Sequence, residues 1–336
     1  MKLNHIYKSI ACGVLLAMTA TSCDLDYNPV DTYSDVTEGV NKTDEKPIFN
    51  SVQDVETSMV TLHKKFRDQQ EHWYVDKLLI GDAHSDNAYA GTTGAEVVPY
   101  ETNSIEGSNS VLKRDWDRFL GDIAVANRII VGCDQLKALS ESERGKYQSQ
   151  AKIFRAMVMF DMVRLWGNFP VITTVGGDIT EDNVEEMYPT YFPPQNTAEE
   201  AYAQIEKDLT EAVENPNTPT NDTSDKSILT KSVARAMLAK VYAEKPLRDY
   251  AKVIKYADEL AADGFDLVED FSDLWAYDTE KKDCRVRNTK EAILEAHFPP
   301  GSGNWCTWMF GRNLSNWDES FTWAKWITPS RPYPPL

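Results

Sequence analysis

The chain has 336 residues, of which 42% are hydrophobic, and its 53 acidic and 35 basic residues give a formal net charge of −18. This composition is sufficient for one or two packed globular domains. An acidic body of this kind repels nucleic acid and anionic lipid head groups, so the composition argues against both as ligands.

The N-terminus has the order of features that is typical of an export signal. Lys2 and Lys8 precede an apolar run, Ile10–Ala20, and small residues then lead to Cys23. The run makes about 16 Å of helix, roughly half of the hydrocarbon core of a bilayer, so it is too short to span a membrane. The stretch resembles a bacterial lipobox, with Ala20 at the position where leucine is commoner. We predict a signal peptide at 1–22, cleavage before Cys23 and a lipid on that cysteine; the alternative is an ordinary secretory signal with an unrelated cysteine.

The segment after the signal peptide, 23–50, is polar and interrupted by proline, which is typical of a tether between an anchor and a folded domain. If Cys23 carries the lipid, the cysteines left in the mature chain are Cys133, Cys284 and Cys306. Because they are widely spaced and odd in number, they make neither a disulfide framework nor a zinc cage.

Between residues 51 and 264 the apolar residues recur at intervals of three and four, which is the period of amphipathic helices. The predicted helices lie at about 52–66, 112–130, 140–166, 201–212, 233–241 and 250–260, with no convincing strand between them. Some of them begin with a capping-box pattern, namely Ser51 with Asp54, Ser140 with Glu143 and Thr197 with Glu200. The helix that ends at Trp166 is apolar on most of its circumference, which predicts burial on several sides, and Gly167 suits its C-terminal cap.

A faint internal repeat supports a helical-repeat architecture. Arg155-Ala156-Met157 and Arg235-Ala236-Met237 occupy similar places in two predicted helices. Small alanines allow neighbouring helices to approach closely, and antiparallel helix pairs of this kind stack as tetratricopeptide-like units. We predict a mainly α, tetratricopeptide-like fold with long irregular loops.

Three long segments lack a helical period: Gly81–Asn109, Gly167–Asn196 and the region from about Phe265 onward. Connections of this length tend to be functional or disordered. The third region holds most of the tryptophans of the chain, namely Trp275, Trp305, Trp308, Trp317, Trp323 and Trp326.

These motifs resemble a known family. Residues 151–170 read AKIFRAMVMFDMVRLWGNFP and resemble the signature helix of the SusD/RagB family. Gly81-Asp82 with Ser85-Asp86-Asn87 is similar to the first binding-side loop of that family. Residues 230–242 are similar to its later tetratricopeptide-like helix, and the lipobox at Cys23 agrees as well. The resemblance covers roughly Asp24 to Trp326.

Members of this family are surface lipoproteins that bind glycans for an outer-membrane importer. The resemblance therefore implies a glycan ligand, a TonB-dependent, SusC-like porin as partner, and a lipid-anchored location at the outer membrane, facing the exterior. It places a SusD-like helical domain at 51–264 and a loop-rich, tryptophan-rich segment of the same fold at 265–336. Family members usually run on well beyond this length, so we expect the last segment to be incomplete.

The chemistry of sugars selects candidate site residues. Sugars present flat C–H faces and a rim of hydroxyls, so a neutral glycan site needs exposed aromatic rings beside polar side chains. Our predicted carbohydrate-binding residues are Asn87, Tyr89, Trp305, Trp308, Arg312, Asn313 and Trp317. The alternative is that these tryptophans form a local core, since tryptophan is usually well buried.

Three further predictions concern residues on the helices. Trp116 and Trp166 lie on apolar helix faces and are expected in the core. Asp161 and Arg164 are spaced to form an ion pair on one helix.

Nothing in the sequence favours catalysis, a cofactor or a metal. Carboxylates are too numerous for a glycosidase pair to be recognised, and no phosphate loop, zinc-type histidine spacing or serine elbow is present. His84, Ser85 and Asp86 are adjacent in sequence, which does not produce the geometry of a catalytic triad. The alternative function from another class is a helical-repeat scaffold that binds a protein or peptide partner.

Overall fold

A computed structural model of the chain describes residues 47–69, 71–90, 96–177, 179, 181, 183–274, 276–299 and 327–329. In these residues the chain is mainly helical, as the sequence predicts. The α-helices are α1 (Val52–Asp68), α2 (Val98–Glu101), α3 (Ser110–Gln135), α4 (Glu141–Trp166), α5 (Val184–Met187), α6 (Ala198–Glu214), α7 (Lys231–Ala243) and α8 (Tyr250–Ala262).

The helix ends confirm the predicted capping signals. Ser51, Ser140 and Thr197 each accept a hydrogen bond from a backbone N–H in the first turn, and the acidic partner of each returns a bond to the cap residue. Each box satisfies backbone N–H groups that would otherwise lack a helical partner. Gly167 ends α4 with a positive φ of 72°, a conformation that glycine adopts without steric cost.

The long helices stack in chain order. α3 packs on α4, α4 on α6, α6 on α7 and α7 on α8, while α1 covers α3 and α4. α4 lies at the centre, and its side chains Ile153, Phe154, Met159 and Met162 are fully buried. This order of packed helix pairs is the predicted tetratricopeptide-like fold.

The two arginines of the internal repeat have equivalent roles. Arg155 on α4 donates two hydrogen bonds to Asp208 on α6, at 2.8 and 2.7 Å, and both residues are buried. Arg235 on α7 binds Glu259 at 2.8 Å and Asp263 at 2.7 Å, at the end of α8. Each arginine therefore joins its helix to the next long helix of the stack.

The segment predicted as a tether ends inside the fold. Phe49 is 3% exposed and belongs to the main hydrophobic core. Its ring packs on Gly132 of α3, where a Cβ atom would overlap it. The backbone N–H of Ile48 also donates to Gln135 at 3.0 Å. The packed part of the chain thus already includes Phe49.

Short strands lie outside the helical stack, and one of them, β1, falls in the region where no strand was predicted. They are β1 (Ala88–Ala90), β2 (Tyr277–Asp278), β3 (Asp283–Cys284) and β4 (Ile327–Pro329). β1 pairs antiparallel with β4, and β2 pairs antiparallel with β3. Strands of two or three residues are too short to show a period-two pattern in the sequence.

The predictions for individual helix residues have mixed outcomes. Trp116 and Trp166 pack on the core with ring centroids 5.2 Å apart, although both stay partly exposed. The predicted Asp161–Arg164 pair is wrong. Asp161 is buried and binds Lys77 at 2.7 Å, whereas the half-exposed Arg164 binds Glu244 at 3.0 Å.

Candidate functional site

The first irregular segment is built around a small hydrophobic cluster of its own. After α1 the chain forms two π-helical turns, Glu71–Asp76 and Leu79–Ala83, and then β1 and α2. Leu79, Ala88 and Tyr100 are buried together in this second cluster, against Val111 at the start of α3. The loop that was predicted to bind sugar is therefore a packed unit seated on the N-terminal end of α3.

The cap of α3 connects this unit to the helical stack. Asn109 accepts hydrogen bonds from the backbone N–H groups of Val111 and Leu112, and its side-chain amide donates to the carbonyl of Glu96 at 2.9 Å. The hydroxyl of the buried Tyr100 donates to the same asparagine at 3.3 Å. One side chain thus fixes both the helix end and the return of the loop.

A buried ionic cluster lies beneath the loop. His72 contacts Asp115 at 3.0 Å and Asp161 at 3.7 Å, and Lys77 binds Asp161. Burial alone would lower the pKa of His72, but the neighbouring Asp115 and Asp161 outweigh it, so this pKa is raised. Burial would raise the pKa of Asp161, but His72 and Lys77 hold it below its ordinary value. Opposite charges therefore join the π-helical turns to α3 and α4.

Asp76 is a third acidic group of this cluster, beside Asp115 and Asp161. Burial and the nearby Asp115 raise the pKa of Asp76 to about 8, although Arg114 opposes the shift. Arg114 binds Asp76 directly. A raised pKa is the expected result of placing two carboxylates in a site with little water.

The structure places both described site residues on the surface of this unit. Tyr89 is 48% exposed, while its neighbour Ala88 is buried, as expected for alternate residues of a strand. Asn87 is exposed, and its amide donates to Asp82 at 3.4 Å. Ring and amide therefore lie two residues apart on the solvent side of a supported loop.

The adjacent residues do not form a triad. The ring of His84 binds the side chain of Asn103, whereas the hydroxyl of Ser85 donates to the carbonyl of Asp82 at 2.9 Å. These bonds direct the histidine and the serine to different partners.

The partner strand of Tyr89 comes from the end of the tryptophan-rich region. Tyr89 is opposite Thr328 in the β1–β4 pair. The other predicted site residues, Trp305, Trp308, Arg312, Asn313 and Trp317, lie outside the described residues, as do Cys23 and Cys306. Their roles stay predictions.

A second group of exposed aromatic side chains was not predicted as a site. Tyr188, Tyr191 and Phe192 lie in the second irregular segment, and they are 55%, 50% and 67% exposed. The sequence signal was present as the run Tyr-Pro-Thr-Tyr-Phe-Pro-Pro, whose prolines disfavour a helix that could bury the rings. We call Tyr188, Tyr191 and Phe192 the aromatic turn.

No helix in the described part of the chain combines the length and the apolar character that a membrane span requires.

The sequence and the structure of the chain are similar to those of several known proteins. It is 25% identical over 309 residues to a SusD-like protein of Bacteroides ovatus. The aligned residues make up 88% of this chain and 50% of that protein. Its structure is similar to surface glycan-binding protein A of Bacteroides fluxus, with a TM-score of 0.60, 20% identity and coverage of 76% and 52% of the two chains. It is also similar to surface glycan-binding protein A of Bacteroides thetaiotaomicron in complex with laminarihexaose, with a TM-score of 0.55, 17% identity and coverage of 67% and 46%. The chain spans about half the length of these relatives.

A family profile agrees with the fold. The SusD-like profile described as "Starch-binding associating with outer membrane" matches residues 32–243, well over half of the chain. The match includes the first loop, with Asn87 and Tyr89, and the central helix α4. The chain therefore belongs to the SusD-like family.

Proposed function

We propose that the protein is a cell-surface glycan-binding lipoprotein that captures oligosaccharides or polysaccharides. One observation carries this proposal: Tyr89 is exposed on a strand whose partner strand, β4, lies within the tryptophan-rich segment 265–336. The predicted Trp305, Trp308 and Trp317 lie 10 to 22 residues before that partner strand in the sequence. The pairing thus supports a site assembled from both irregular segments. Solved relatives named for glycan binding, one in complex with laminarihexaose, add support.

Binding in this proposal is noncovalent and releases the glycan unchanged. The flat face of a sugar ring packs on Tyr89, and its hydroxyls exchange hydrogen bonds with Asn87. Because the chain carries a net charge of −18, we expect neutral glycans to bind in preference to anionic ones.

The proposal includes a lipid anchor and a partner. Lipid on Cys23 would hold the folded part at the outer membrane, facing the exterior, and the glycan would pass to a TonB-dependent, SusC-like porin. Replacement of Cys23 by serine should move the protein from the membrane fraction to the soluble fraction. Retention of the Cys23→Ser variant in the membrane fraction would refute the anchor.

A glycan screen tests the binding function. Native gels that contain starch, laminarin, xyloglucan or polygalacturonate would be run with the purified protein. We expect at least one neutral polysaccharide to retard it, and we expect Trp305→Ala or Trp308→Ala to reduce the retardation. Equal mobility in every gel would contradict glycan binding and favour the helical-repeat scaffold for a protein or peptide partner.

A further inference from the structure

The aromatic turn is exposed because of the way its backbone is built. Tyr188–Tyr191 forms a single 3-10 turn directly after α5, and Pro189 lies in that turn. The rings of Tyr188 and Phe192 have centroids 5.0 Å apart and are tilted by 50°. Two neighbouring exposed rings therefore lie at an angle to each other.

Contacts behind the rings hold the turn in place. The hydroxyl of Tyr191 donates to the carbonyl of Gly177 at 2.6 Å. A Cβ atom at Gly176 would lie 3.3 Å from the Tyr191 ring, and one at Gly177 would lie 3.0 Å from Met187. The two glycines thus allow the preceding segment of the chain to pack closely against the turn. Because Tyr191 is held in this way, the turn loses little backbone freedom when a ligand binds, which favours affinity.

The base of the segment is attached to the helical stack. The N–H of Asn196 donates to the carbonyl of the fully buried Phe169 at 2.9 Å, and the side chain of Asn196 accepts from Val171 at 2.9 Å. Asn127 of α3 donates to the carbonyls of Ile172 and Thr174. The aromatic turn is consequently presented by a loop whose two ends are clamped.

The charge of the segment limits the ligand. Between Leu165 and Asn196 the sequence contains five acidic residues and no lysine, arginine or histidine. Glu181, Glu185 and Glu186 are exposed and lie within seven residues of Tyr188 in the sequence. Uronate-bearing and sulfated polymers would be repelled here, whereas carboxylates accept hydrogen bonds from sugar hydroxyls.

The size of the surface also favours a small repeating ligand. At the observed exposures the three rings offer on the order of 300 Å² of accessible surface, if each full side chain contributes about 200 Å². A stable protein complex buries about 800 Å² on each partner. A few sugar units, in contrast, are enough to cover the rings.

We propose that the aromatic turn is a second carbohydrate-contact platform, distinct from Tyr89, which binds a neutral glycan chain through Tyr188 and Phe192. This inference rests on the proposed glycan-binding function and adds a contact surface to it. Tyr191 is a positioning residue, because its hydroxyl is bonded to Gly177 and holds the turn.

The test compares variants in native gels that contain starch, laminarin, xyloglucan or polygalacturonate, with the full chain. We expect Tyr188→Ala/Phe192→Ala to weaken binding roughly tenfold to each neutral polysaccharide that retards the wild type. Tyr188→Phe keeps the ring and should bind like the wild type. Tyr250→Ala is the matched control, since Tyr250 on α8 is 59% exposed and far along the chain from the aromatic turn.

Each remaining outcome counts against the inference in a distinguishable way. One outcome would overturn the second platform and leave the proposed function intact. In that outcome Tyr89→Ala weakens glycan binding, whereas Tyr188→Ala/Phe192→Ala binds the glycan as well as the Tyr250→Ala control does. Absence of retardation of the wild type in every gel would overturn both. Concentration-dependent self-association of the wild type that the double variant abolishes would identify the turn as a contact between copies instead. Retardation by polygalacturonate that depends on Tyr188 and Phe192 would contradict the charge reasoning.

Discussion

Replacement of Arg155 by methionine should destabilise the protein strongly, because it leaves a buried carboxylate without its cation. Arg155 is 3% exposed and Asp208 is 1% exposed. The guanidinium donates two hydrogen bonds to Asp208 and a third, at 2.7 Å, to Asn127. After the substitution Asp208 keeps a bond from Gln204 at 2.9 Å. Removal of one partner from a buried ion pair costs about 3–5 kcal/mol of unfolding free energy.

Arg164 provides a control on the same helix. Its side chain is 53% exposed and pairs with Glu244 at 3.0 Å. Exposed pairs of this kind contribute about 0–1 kcal/mol. Arg164→Met removes the same charge and adds the same side chain, so the difference between the two variants isolates the effect of burial.

Urea unfolding followed by tryptophan fluorescence measures both variants. We expect the midpoint of Arg155→Met to fall well below that of Arg164→Met. The double variant Arg155→Met/Asp208→Leu should recover most of the loss, because an apolar pair of similar volume often replaces a buried ion pair without cost. Equal midpoints for the two single variants would refute the burial reasoning.

Gly132→Ala should destabilise by about 1–3 kcal/mol, because the new methyl group overlaps the Phe49 ring. Gly121→Ala, in the same helix with open space around the new atom, should instead stabilise the protein by about 0.5–1 kcal/mol. Equal effects of the two substitutions on urea unfolding would contradict the packing of Phe49 on Gly132. Asp76→Asn should remove a pH dependence of stability. Asp76 has a pKa of about 8 in the folded protein and about 3.9 when unfolded. Between these two pH values the folded state holds an extra proton. The unfolding free energy of the wild type therefore falls as pH rises from 4 to 8. Parallel stability curves for wild type and Asp76→Asn over that range would contradict the raised pKa of this buried carboxyl group.

The helical part of the fold was predictable because its signals are local. Capping boxes at Ser51, Ser140 and Thr197 and the apolar period identify helix starts and buried faces within a few residues. The burial of Phe49 and the ion pairs of Asp161 depend on residues far away in the chain. Helical spacing predicted Arg164 as the partner of Asp161. The carboxylate of Asp161 is instead buried, and it pairs with Lys77 and His72.

The candidate site was predictable only in part. The sequence pointed to Asn87 and Tyr89, and both are exposed on the first loop. It did not predict the π-helical turns that lead into this loop. It also did not predict the strand within the loop, because three residues of strand carry no recognisable period. The aromatic turn was missed because exposure of Tyr188 and Phe192 follows from the packing of the loop behind them.

The most direct test of glycan binding at the first loop is the effect of Tyr89→Ala on retardation in polysaccharide gels. We expect the wild type and Tyr250→Ala to be retarded by the same neutral polysaccharide, and Tyr89→Ala to bind it roughly tenfold more weakly. Retardation of Tyr89→Ala equal to that of the wild type would show that the exposed ring of the first loop does not contact the glycan.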